Sequence, residues 1–128
     1  TDTDTDTDCG EEDLTLSIEI RDDSGPCTSC DVSDYLRAFG MVTNACASDV
    51  SFTTNSGCFV VSGFLSGPLT DSSLDLMCTE AITTHVVPAG GQIEQGVDVG
   101  YVASGGWGYQ LVFADPLGDT LTGSFSAY

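Results

Sequence analysis

The chain has 128 residues, with 20 acidic residues, two arginines and no lysine, and its formal net charge is −18. Nucleic acids and anionic membrane surfaces are bound through Lys and Arg, so both are poor partners for this chain. The hydrophobic fraction of 41% is sufficient for a folded core, and the length fits one domain. No apolar run approaches the roughly 20 residues that cross a bilayer, so we expect no membrane insertion.

The acidic residues are concentrated near the N-terminus, where residues 1–34 carry 12 of the 20 carboxylates. We therefore divide the chain into an acidic low-complexity leader, residues 1–13, and a β-sandwich domain, residues 14–128. The leader begins with the repeat TDTDTDTD, which is typical of a solvated tail. Its alternating carboxylates also resemble calcium ligands, although the glycine of an EF-hand loop is missing. Calcium is thus the most reasonable metal for this chain, and its candidate ligands are Asp2, Asp4, Asp6 and Asp8.

The first predicted element is a strand over residues 14–20, where aliphatic residues alternate with Thr, Ser and Glu. Such a strand can close the sheet of its own chain or add to the sheet of a neighbouring subunit, because both arrangements need the same pattern. The candidate partner-strand residues are Leu14, Leu16, Ile18 and Ile20.

A short helix is predicted over residues 31–40. Asp31 can cap its N-terminus and Gly40 can end it. Its apolar residues recur at helical spacing, at Val32, Tyr35, Leu36 and Phe39.

The remaining chain has the pattern of short strands separated by turn residues. The predicted strands are 50–54, 58–65, 73–79, 82–87, 92–103, 108–114 and 119–127, and the last two are expected to form a hairpin. The fold class we expect is mostly β: a single antiparallel β-sandwich, Ig-like or pilin-like, with one short helix and stapled by disulfides.

Six cysteines, an even number, favour three disulfides and an oxidising compartment. The pairing is open among Cys9, Cys27, Cys30, Cys46, Cys58 and Cys78. The Cys27 and Cys30 pair has the CxxC spacing of redox and zinc sites, but no second CxxC and no histidine pair accompany it. We expect a protein that is secreted, extracellular or at the cell surface, and whose secretion signal has been removed.

Residues for catalysis are scarce, and the sequence predicts no catalytic residue and no cofactor, with calcium at the four aspartates as a weak candidate. The sequence contains no nucleophile elbow, phosphate-binding loop or zinc-protease motif. The single histidine, His85, lies in a strand-like run and is expected to be structural. Three aromatic residues in a Gly-rich stretch form a candidate ligand platform: Tyr101, Trp107 and Tyr109.

These features favour a non-catalytic extracellular structural or assembly protein. The expected role is a subunit of a surface filament, such as a fimbrium, or of a coat, joined by N-terminal strand addition to itself or to another surface protein. The alternative is a secreted or cell-surface binding module, an adhesin or a carbohydrate binder with a glycan ligand. A small disulfide-rich toxin or inhibitor is a third interpretation, and an enzyme is the least favoured.

Overall fold

A computed structural model describes residues 9–68, 71–74 and 76–128, and its fold is mostly β. Within those residues no helix has the length and apolar character needed to cross a membrane. A single 3-10 turn, Glu11–Asp13, precedes the strands. The strands are β1 (Thr15–Asp22), β2 (Gly25–Pro26), β3 (Ser29–Cys30), β4 (Leu36–Thr43), β5 (Val50–Thr54), β6 (Val60–Ser66), β7 (Asp71–Leu74), β8 (Thr83–Val87), β9 (Gln92–Gly100), β10 (Gly105–Phe113) and β11 (Thr120–Ala127).

The strands form two main sheets and a two-stranded ribbon. Sheet A has the order β2-β1-β4-β9, and sheet B has the order β3-β11-β10-β6-β7. The ribbon pairs β5 with β8. All strand pairs are antiparallel except β3 with β11, which is parallel. The predicted antiparallel β-sandwich is confirmed.

The core lies between the two sheets, where alternate residues of each strand are buried. On β4 the inward residues Leu36, Ala38 and Val42 are fully buried. Gly40 lies between them, and a Cβ atom there would be 2.6 Å from Val60 Cγ2. Because that separation is far below van der Waals contact, the close approach of the sheets at this point requires glycine.

One polar side chain joins the two sheets. Gln95 on β9 of sheet A accepts hydrogen bonds from the N–H groups of Phe59 and Val60, both at 2.9 Å, and donates one to the Val60 carbonyl at 2.9 Å. These groups lie at the start of β6 in sheet B. The side chain of Gln95 thus provides hydrogen-bond partners for backbone groups at the start of β6, which would otherwise be unpaired in the interior.

The predicted helix at 31–40 is wrong, because residues 36–43 form the interior strand β4. Its alternation has period two: Leu36 and Ala38 face the core, whereas Phe39 lies on the opposite face beneath the guanidinium group of Arg21, 3.8 Å from its ring centre. Pairing with β1 and β9 on both sides outweighs the helical spacing. Asp31 caps no helix and instead accepts hydrogen bonds from the Ser33 N–H and hydroxyl.

Most predicted strands are present with small changes of boundary. The predicted strand 14–20 corresponds to β1, and the predicted C-terminal hairpin corresponds to β10 and β11. The predicted strand 73–79 is largely wrong, because β7 ends at Leu74 and Cys78 lies in a non-strand segment held by a disulfide. The predicted strand 92–103 ends early, at Gly100, which has a φ of 94° that favours glycine.

Three disulfides pair all six cysteines. The pairs are Cys9–Cys46, Cys27–Cys30 and Cys58–Cys78, with sequence separations of 37, 3 and 20 residues. In the chain-entropy description, loops of these sizes stabilise the fold by about 4, 2 and 3 kcal/mol respectively. The longest loop is closed by the cysteine of the acidic leader, so residues 9–13 are covalently attached to the sandwich.

The hydrogen bonds of Gln95 predict a measurable contribution to stability. Gln95→Ala leaves two N–H groups and a carbonyl of β6 without partners, and we expect the free energy of unfolding to fall by about 3 kcal/mol in urea titrations. Gln92→Ala is the matched control, since Gln92 is an exposed glutamine of the same strand, and its expected loss is below about 0.5 kcal/mol. Equal losses for the two variants would contradict the role of Gln95.

Candidate partner-binding edge

Strand β1 is paired along its length on one side only. Seven residue pairs join it to β4, from Thr15 with Thr43 to Arg21 with Arg37. On the other side β2 pairs only with Arg21 and Asp22, and the Cys27 N–H donates to the Ile20 carbonyl at 2.9 Å. In the part of the chain that the structure describes, no strand pairs with this outer edge from residue 15 to residue 19.

The outer edge of β1 presents backbone groups at every second residue. Ile20 directs its carbonyl towards β2, and hydrogen-bonding directions alternate along an antiparallel strand. Leu16 and Ile18 therefore direct their N–H and C=O groups away from β4. These two residues are the positions at which an added strand would form hydrogen bonds.

Strand β11 of the opposing sheet is open on the same side of the sandwich. β3 pairs with it only at Ser126 and Ala127. The Ser126 N–H bonds to Thr28 on that side, so the alternation directs the backbone groups of Thr122 and Ser124 outward as well. A depression of about 280 Å³ lies on this side of the sandwich. It is lined by β1, β11, the neighbouring strand β10 and the segment that follows β1: Ile18, Glu19, Ile20, Pro26, Cys27, Thr28, Tyr109 and Ser124. We call this region, between the outer edges of β1 and β11, the edge groove.

The apolar side chains of β1 are incompletely covered at the edge groove. Ile20, next to β2, is 2% exposed, whereas Leu14, Leu16 and Ile18 are only partly buried although they face the interior. The structure thus places Leu16, Ile18 and Ile20 in the sheet of their own chain, and Leu14 immediately before it. Donating them to a neighbour would break the β1–β4 pairs, whereas accepting a strand at their free edge would not.

The predicted aromatic platform is divided between core and surface. Trp107 and Tyr109 are each 7% exposed, and Trp107 stacks on Phe125 and donates its indole N–H to Ala103. Burial raises the pKa of Tyr109 to about 12, with a smaller effect from the negative charge of Glu19. Tyr101 is 70% exposed and packs edge-to-face on Tyr35, with ring centres 5.4 Å apart.

Tyr35 is the aromatic partner that sequence reasoning assigned to a helix. It lies just before β4, and Tyr101 lies just after β9, so the antiparallel pairing of these strands brings the two rings together. The period-two alternation of residues 36–43 was the sequence signal that could have placed Tyr35 at the start of a strand.

Both arginines lie on the outer face of sheet A. Arg21 donates to Glu94 through both terminal nitrogens, at 2.9 and 2.8 Å, and it also forms an ion pair with Glu19. Hydrogen bonding to Arg21 holds the pKa of Glu94 below its usual range. Arg37 forms an ion pair with Asp98 at 3.3 Å. Both arginines of the chain are therefore paired with carboxylates on this face, and one of these carboxylates, Glu19, also lines the edge groove.

The cysteine and aspartate donors do not form a ready metal centre. Over residues 9–68, 71–74 and 76–128, one group of three potential ligands lies close together, formed by Asp22, Cys27 and Cys30. Both sulfurs belong to one disulfide and are not thiolates. The calcium candidates Asp2, Asp4, Asp6 and Asp8 lie outside the described residues.

His85 is enclosed by aromatic rings in the β5–β8 ribbon. Its ring stacks on Phe52 at 5.0 Å and meets Phe59 edge-on at 5.6 Å, and its Nε2 lies 2.9 Å from the Thr54 hydroxyl oxygen. The Thr54 hydroxyl donates its hydrogen to the Ser56 carbonyl, so Nε2 is the donor to Thr54. Burial lowers the pKa of His85.

The lowered pKa of His85 predicts a pH dependence of stability. The neutral ring is favoured in the folded state, so its contribution is complete above the unfolded pKa of about 6.5 and is lost as the pH falls below it. We expect the difference in unfolding free energy between the wild type and His85→Gln to be smaller at pH 5.0 than at pH 7.5. A difference that is unchanged between these two values, measured by urea titration, would contradict this account.

Comparison with known proteins identifies no family for this chain. The sequence matches no known family model and no curated protein. Among solved structures, a β-glucosidase from Listeria innocua in complex with glucose is similar with a TM-score of 0.38 and 8% identity, over 90% of this chain and 16% of that chain. A β-D-glucoside glucohydrolase from Trichoderma reesei is similar with a TM-score of 0.41 and 11% identity, over 90% of this chain and 19% of that chain. The chain thus spans less than a fifth of these enzymes, and likeness at this level carries no argument about function.

Proposed function

We propose that this chain is a non-catalytic extracellular assembly module that accepts a β-strand from a partner at the edge groove. The observation that carries the proposal is the outer edge of β1, with which no strand among the described residues pairs from residue 15 to residue 19. There Leu16 and Ile18 direct backbone groups outward and leave their side chains partly uncovered. A strand added there gains main-chain hydrogen bonds and covers apolar surface in the same step.

The composition of the β1 edge supports an interaction site. Exposed edge strands are commonly protected by lysine, proline, a bulge or a covering loop, because an open edge otherwise pairs with other chains. Between residues 15 and 20, β1 contains no proline and no lysine, and its one charged residue is Glu19. Its regular pairing with β4 contains no bulge.

The disulfides support the extracellular location in this proposal, and the packing of the single histidine supports the non-catalytic role. All six cysteines are in disulfides, which are typical of proteins that fold in an oxidising, extracellular environment. The ring of His85 packs against Phe52 and Phe59, which favours a packing role for the single histidine. If the donor strand belongs to a different surface subunit, strand addition joins this chain to a filament or a coat.

Strand addition can be tested with a neutral probe, the octapeptide VSVSVSVS with blocked ends. We expect it to bind the full chain and to slow hydrogen exchange at the amides of Leu16 and Ile18, because these N–H groups become hydrogen-bonded. Ile18→Pro removes one outward N–H without removing a bond to β4, and we expect it to weaken binding at least tenfold, as measured by fluorescence anisotropy.

Thr122→Pro is the matched control, because it removes an outward N–H from β11 instead of β1. Circular dichroism and thermal unfolding verify that both variants are folded. Equal binding by the wild type and a folded Ile18→Pro, or no added protection at Leu16 and Ile18, would refute strand addition at β1.

A ligand-binding module is the second candidate, supported by the exposed pair Tyr35 and Tyr101. Aromatic rings exposed at one end of a sandwich are suited to stacking on sugar rings. Under this alternative, Tyr101→Ala reduces glycan-array binding at least tenfold and leaves the fold intact, whereas Trp107→Ala lowers stability by about 3 kcal/mol because Trp107 is in the core. Unchanged glycan binding by Tyr101→Ala would remove this candidate.

A further inference from the structure

The end of the edge groove nearest the leader is bordered by carboxylates. A depression of about 280 Å³ there has an apolar floor that includes Leu14, Leu16 and Leu117. Three exposed acidic side chains line it, those of Glu11, Glu12 and Asp119. An occupant of this groove therefore meets the partly buried side chains of Leu14, Leu16 and Ile18, and negative charge at this end.

No lysine or arginine of this chain pairs with these carboxylates. The sequence contains no lysine, and its two arginines are bound to Glu19, Glu94 and Asp98 on the outer face of sheet A. The three acidic groups are thus left to solvent ions or to a partner. A basic segment would replace those ions and gain attraction from all three groups.

The chain itself offers no suitable donor strand. Residues 1–8 contain no apolar side chain that could cover Leu16 and Ile18, and their four aspartates would add negative charge to an acidic border. Elsewhere the sequence contains no segment in which apolar residues alternate with lysine or arginine. A second copy of this chain is for the same reason a poor donor.

We propose, on the basis of the strand-addition function above, that the natural occupant is an extended segment of a different protein in which apolar residues alternate with lysine or arginine. Side chains alternate between the two faces of a strand, so one set covers Leu16 and Ile18 while the other carries the basic groups. Lysine and arginine have long flexible stems, so those at the end of the segment beside Leu16 can turn back to the border formed by Glu11, Glu12 and Asp119. Backbone hydrogen bonds provide attachment, and the charges select the partner.

The test compares the blocked octapeptides VKVKVKVK, VSVSVSVS and VEVEVEVE on the full chain, by fluorescence anisotropy at low salt. We expect VKVKVKVK to bind about tenfold more tightly than VSVSVSVS, because each exposed ion pair contributes modestly and three are available, and VEVEVEVE to bind most weakly. The preference should disappear in the triple variant Glu11→Gln, Glu12→Gln, Asp119→Asn and at 0.5 M NaCl.

The control for net charge removes three carboxylates elsewhere, by Asp23→Asn, Asp34→Asn and Glu80→Gln. If this control loses the preference as fully as the groove variant does, the effect belongs to total charge and the proposal is overturned. Equal affinity for all three peptides, with loss of binding in Ile18→Pro, would keep strand addition and overturn the basic partner. No binding of any peptide would overturn both.

Deletion of residues 1–8 tests the remaining candidate occupant, which is the leader of the same chain. If VKVKVKVK binds only after this deletion, the leader of the same chain occupies the groove and the proposal is overturned. Binding to the intact chain, with the preference located at the three acidic residues, supports a basic segment from another protein.

Discussion

The fold depends on the close approach of the two sheets at the centre of β4. Gly40 allows Val60 and Phe113 of sheet B to pack directly on the backbone of sheet A, and any side chain there would separate the layers. Gln95 acts at the neighbouring strand, where it satisfies the first backbone groups of β6. The packing at Gly40 and the hydrogen bonds of Gln95 thus hold the two sheets in register. In this arrangement the outer edges of β1 and β11 lie on the same side of the sandwich.

Much of this architecture could be predicted from the sequence because a half-buried strand has a period of two. The alternation at residues 14–20 identified β1, and the runs around residues 110 and 122 identified the hairpin of β10 and β11. β4 was missed because its outer face is also apolar: Phe39 is covered by Arg21 and Met41 is 6% exposed. With apolar residues on both faces, the helical spacing of Leu36 and Phe39 was coincidental, and pairing on both sides determined the structure.

The site was predictable in its residues but not in its arrangement. The pattern of Leu14, Leu16 and Ile18 fits a strand in its own sheet and a strand given to a neighbour equally well, since both bury one face. Only the pairing with β4 separates the donor role from the acceptor role. The aromatic prediction had the same limit, because sequence proximity of Tyr101 and Trp107 does not report that one is exposed and the other is in the core.

The crossover that carries the Cys27–Cys30 disulfide limits the length of the edge groove. It begins where the Cys27 N–H donates a hydrogen bond to the Ile20 carbonyl, so the C-terminal end of β1 is already paired on its outer side. The unpaired edge from residue 15 to residue 19 measures about 17 Å at roughly 3.4 Å per residue. In the proposed acceptor role, this length fits about five residues of an added strand, and the disulfide-closed crossover is a fixed end that would set the register of that strand.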